Sequence, residues 1–159
     1  MKHLLMYFIG VAIMISLYSC KQKPVEVITM NNTRPIGELR QLVLKGDTAA
    51  YNELRYADIE SGHDEEKLVY AIFMAHWYNY PPAYYDVYFY LKLVAESCGR
   101  AMDDKTKEMA IRYLKKAVEL KDCSALESLS ELCKKGEYVP KDTTMSNKLE
   151  EESKKRCRF

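Results

Sequence analysis

In the C-terminal third of the chain, apolar residues recur at intervals of three and four. Ala110, Tyr113, Leu114, Ala117, Val118 and Leu120 share one helical face, and Lys115, Lys116, Glu119 and Lys121 fall mostly on the other. Asp122 stands where an N-cap is needed, since its carboxylate can accept from the orphan amides of the next turn. A second apolar series, Ala125, Leu126, Leu129 and Leu132, stops at Gly136, the residue best suited to a left-handed C′ position. Pro140 cannot continue a helix interior, and Asp142 offers the next N-cap. Each helix carries an apolar stripe that needs a neighbour, so the predicted packing is stacked helical hairpins.

The upstream pattern is a looser version of the same unit. Pro35 is predicted to open a helix at its first position, with Leu39, Leu42 and Val43 as a narrow stripe ended by Gly46. Asp47 caps the next helix, which Gly62 is placed to stop. The period resumes from Asp64 with Leu68, Ala71, Ile72 and Ala75, and ends at Pro81-Pro82, where the first proline restrains Tyr80. A further helix is expected from about Pro82 to Cys98, closed by Gly99, with Asp103 or Asp104 capping its successor. In the tail, Glu150 faces Lys154 and Glu151 faces Lys155 at four-residue spacing, the mark of a solvated terminal helix.

The stretch from Ala110 to Leu149 resembles the Sel-like repeat family, a relative of the tetratricopeptide repeats. Ala125, Leu129, Gly136, Val139 and Asp142 stand at the offsets of the family pattern, and Ala110 and Ala117 match the small residues of its preceding helix. Gly46, Asp47, Ala50 and Leu54 echo the inter-repeat turn. Ser146 replaces the usual Ala and Leu149 the usual aromatic, a departure expected of a terminal unit whose outer face is polar. The good match covers about one and a half repeats. The resemblance implies an all-α fold, a short right-handed α-solenoid of antiparallel hairpins with about seven helices over residues 35–159. It also implies adaptor or scaffold roles.

Residues 1–19 combine Lys2, an apolar run from Leu4 to Leu17 too short to span a bilayer comfortably, and the ending LYSC. This resembles a bacterial lipoprotein signal peptide with cleavage before Cys20, although Tyr18 is larger than usual there. Cys20 would then carry acyl chains, and residues 20–34 would link the domain to the membrane. No acidic cluster follows Cys20, so a periplasm-facing, lipid-anchored location in the cell envelope is expected.

Composition narrows the chemistry. The 159-residue chain has 24 Lys+Arg against 23 Asp+Glu, which removes any reason to expect a nucleic-acid partner. His63-Asp64-Glu65-Glu66 reads as an acidic first turn, and His76 lies too far on to complete a metal site. With six Gly, one in the leader, no nucleophile elbow or phosphate loop can be assembled, so neither cofactor nor enzymatic activity is expected. Cys98, Cys123, Cys133 and Cys157 permit disulfides but fix no pairing. Small buried thiols are the simpler reading, and Cys133 with Cys157 is the pair to test.

The strongest anomaly is aromatic. Ten aromatic residues crowd the stretch from Tyr70 to Tyr90, and Tyr84, Tyr85, Tyr88, Phe89 and Tyr90 cannot all face one side of a helix. Core packing accounts for many of them. Tyr80, Tyr84 and Tyr88, with Trp77, are the candidates for an exposed partner-binding patch. The expected function is a membrane-anchored protein–protein interaction module. The alternatives are an immunity-type protein that neutralises a toxin, a structural part of an envelope complex and, more remotely, an enzyme without a recognisable motif.

Overall fold

The computed structural model describes residues 34–56, 64–97, 99 and 101–157. Gly62, His63, Cys98 and the entire proposed leader with Cys20 lie outside the described residues. Among those described, the fold is all-α with seven helices: α1 (Ile36–Val43), α2 (Thr48–Tyr56), α3 (Asp64–Tyr78), α4 (Pro81–Ser97), α5 (Asp104–Glu119), α6 (Cys123–Lys135) and α7 (Thr143–Arg156). Each helix packs chiefly on its neighbours in sequence, and further contacts join α4 to α6, α2 to α4 and α3 to α5.

The boundaries follow local chemistry. Asp47, Asp103, Asp122 and Asp142 each accept a backbone N–H of the following first turn, at 2.9 to 3.1 Å. Pro35 is the cap of α1 and not its first residue; its carbonyl accepts from Glu38 and Leu39. α4 begins at Pro81 and ends at Ser97, one residue earlier at each end than the pattern suggested. Gly136 closes α6 in the left-handed conformation, at φ 76°.

Two apolar cores meet at α4. The first gathers Leu39 and Val43 of α1, Ala50 and Tyr51 of α2, Met74 of α3, and Val87 and Tyr90 of α4. The second gathers Tyr88 of α4, Ala110, Leu114 and Ala117 of α5, Leu126 and Leu129 of α6, and Leu149 of α7. Helix α4 is therefore covered on two faces, which is why its sequence shows no clean apolar stripe. In α3 the inward position falls to Met74, while Ile72, expected in the apolar series, is exposed.

The terminal hairpin is closed covalently by a disulfide between Cys123 and Cys157, with Cα atoms 5.9 Å apart. Cys133 is a buried free thiol, so Cys133–Cys157 is not the pair. The reason is the antiparallel arrangement. The last residue beyond α7 returns to the start of α6, whereas Cys133 lies near the connecting loop. Lys121 binds Glu152 at 2.7 Å beside the disulfide, and Ser130 donates to the Ser146 carbonyl at 3.0 Å inside the same hairpin. Glu150 pairs with Lys154 as the spacing suggested, and Glu152 also meets Arg156.

Candidate functional site

The aromatic stretch divides among four environments. Helix α3 carries the exposed one. Val69, Phe73 and Trp77 follow at four-residue spacing and so lie along one face. Trp77 is 77% exposed and Val69 63%. Phe73 holds the row together, with ring centroids 6.1 Å from Trp77 and 5.8 Å from Tyr78. Tyr78 donates to the Leu44 carbonyl at 3.2 Å and lies flat against Gly46. Gly46 is at φ 86°, and a Cβ there would overlap the Tyr78 ring, so glycine is needed twice over. Leu44 and Ile72 are exposed as well.

The expectation that Tyr80, Tyr84 and Tyr88 are exposed members of a patch is corrected for Tyr88. Tyr88 is only 4% exposed and belongs to the second core, and burial pushes its phenol up to about 12. Tyr80 is half-buried, edge-on to Tyr51 at 5.8 Å and hydrogen-bonded to Asn52. Tyr84 is half-buried too. It donates to Asn79 at 3.0 Å and lies 6.1 Å from the Tyr113 ring across the α4–α5 boundary. Of the four candidates, Trp77 alone stands in the open.

Tyr85 and Phe89 occupy the third environment, the outer face of α4, with rings stacked at 6.3 Å. They wall a cleft of about 520 Å³ with Arg55 and Asp86 among its lining. Asp86, 2% exposed, accepts from Tyr51 Oη at 2.7 Å and from Arg55 Nη2 at 2.7 Å. Burial raises the Asp86 carboxyl to about 6, and the Arg55 guanidinium opposes that rise without cancelling it. Burial, with Asp86 next to it, also raises the Tyr51 phenol. Sequence reasoning missed this network. The signal was present, because an aspartate inside YYDVYFY must find partners if its helix is buried.

The fourth environment is a groove of about 420 Å³ lined by His76, Tyr84, Met109, Arg112, Tyr113 and Lys116. His76 Nε2 and Tyr113 Oη are hydrogen-bonded at 2.6 Å, in a sense set by the imidazole tautomer. Their rings meet edge to face at 5.8 Å.

Among the described residues, no group of three or more His, Cys, Asp or Glu is placed to hold a metal ion, and no helix is long and apolar enough to cross a membrane. Comparison with family models, curated proteins and solved structures gave no match to this chain.

Proposed function

We propose that this protein is a docking module for another protein, with the aromatic row of α3 as the contact surface. The observation that carries the reading is Trp77. A tryptophan three-quarters exposed, in line with Val69 and Phe73, is an unfavourable arrangement unless something covers it, and Trp dominates binding hot spots. The setting we propose is a bacterial envelope, with a lipid anchor on Cys20 and a Sel-like helical array as scaffold. The Cys123–Cys157 disulfide supports an oxidising compartment. The sequential packing of the helices supports the array.

The test uses the tagged full-length protein captured from native membranes, as wild type and as Trp77→Ala. A partner retained by wild type and lost from the variant supports the reading. Equal retention, or none in either sample, overturns it. Because Trp77 is the single tryptophan, its emission reports the same event independently: docking on this face shifts the maximum to shorter wavelength.

A further inference from the structure

The groove beside the aromatic row has a chemistry of its own. Its floor is Tyr84, Met109 and Tyr113, all half-buried, and its rim is His76, Arg112 and Lys116, all exposed. Among the described residues, no carboxylate lines it. The nearest acids on α5 are Glu119, which pairs with Lys116 at 3.0 Å, and Glu108, one turn before Arg112. Helix α5 carries five cationic side chains (Lys105, Lys107, Arg112, Lys115 and Lys116) against three acids (Asp104, Glu108 and Glu119), although the whole chain is nearly neutral. Arg112 and Lys116 also border a second depression, of about 770 Å³, where Lys107 and Lys115 stand among the carboxylates of Asp104, Glu108 and Glu119. The two cations therefore stand on a ridge between two hollows.

We propose that this groove takes an acidic peptide segment of the partner, seating one aromatic side chain on the Tyr84 and Tyr113 rings while flanking carboxylates meet Arg112 and Lys116. The argument is charge complementarity around an aromatic floor. Polarizable Met109 and the two phenol rings suit a flat apolar side chain of variable shape. An Arg guanidinium presents paired donors that match a carboxylate, and Lys116 adds a point charge one turn away. The His76–Tyr113 hydrogen bond holds the floor rings in place, so the floor is formed before the peptide arrives. This inference rests on the docking reading and names the chemistry of what is docked.

The test is fluorescence anisotropy of a labelled nonapeptide, a central Phe flanked by Asp, on the full-length protein. Two control peptides replace every Asp by Lys or the Phe by Ala. Binding of the Asp/Phe peptide, about ten-fold weaker for either control and about ten-fold weaker for Arg112→Glu/Lys116→Glu, is the expected result. Both substituted side chains are exposed, so the double variant keeps its fold, checked by an unchanged helical circular dichroism. No binding of the Asp/Phe peptide, equal binding of the Lys peptide, or indifference to the charge reversal overturns the proposal. Repeating the membrane capture with Arg112→Glu/Lys116→Glu separates the two failures. A partner that needs Trp77 but not the two cations leaves the docking module standing and removes the groove from it.

Discussion

The two halves of the molecule are built on opposite principles. The half formed by α1 to α4 is held by large polar-edged side chains: Tyr51, Arg55 and Asp86 share a buried network, and aromatic rings fill and spill from the core. The half formed by α5 to α7 is held by an aliphatic core and a covalent bond, with Leu114, Leu126, Leu129 and Leu149 buried and Cys123 joined to Cys157. Large aromatics hold helices apart and leave edges uncovered. The exposed row of α3 lies on the aromatic side of that divide, and the groove lies where the two halves meet.

The comparison can be broken most strongly at the disulfide. The cross-link closes a loop of sequence separation 34, so Cys157→Ser is expected to lower stability by about 4 kcal/mol on the chain-entropy relation, measured by urea unfolding under non-reducing conditions. Hydrogen exchange decides whether the halves are separate units: loss of protection confined to α6 and α7 keeps them apart, and uniform loss merges them.

Next in size is Arg55→Met, which leaves Asp86 buried without its cation. The expected cost is about 3 kcal/mol at neutral pH, at the low end for a broken buried pair because Arg55 is partly exposed. The Asp86 titration, followed by carboxyl NMR, moves up from about 6, since Arg55 is what holds it down.

The pH dependence sharpens the same contrast. The native Asp86 carboxyl titrates near 6 and the unfolded one near 3.8. The folded state therefore binds the proton more tightly, and the stability this gives is complete below pH 3.8 and lost as pH rises through 6. The loss is about 2–3 kcal/mol over that window, and Asp86→Asn is expected to flatten it in thermal melts taken across the range. Asp122, raised by its burial at the head of α6, adds in the same direction from the other half.

Smallest is the cap itself. Asp122→Ala removes the acceptor of the Ala125 N–H and is expected to cost about 1 kcal/mol, read as a lower urea midpoint with unchanged slope. A loss well above that would give Asp122 a role beyond capping, through the charge of Arg55 that it senses.

What was legible from the chain follows the same divide. Asp122, Gly136 and Asp142 announce their turns because a cap depends on a few adjacent residues, and all three take the predicted roles. Ser146, a polar residue on the buried side of its helix, is explained only by Ser130, whose hydroxyl meets it across the hairpin. The fate of Tyr88 was not legible, because α4 is buried on two faces and period alone does not say which neighbour covers which residue. The disulfide needed one more fact, that the end of α7 comes back to the start of α6. The pattern predicted the neighbours but not which ends meet.

That return has a mechanical meaning. A chain stretched by its two ends carries its tension through the shortest covalent route, and here the route crosses directly from Cys123 to Cys157. The 34-residue span between them, roughly 115 Å of contour at about 3.4 Å per residue, stays out of the line of force. Under load the first half can pay out its length while the last hairpin holds its own, and a reducing agent would add that hidden length to the extension recorded when single molecules are stretched.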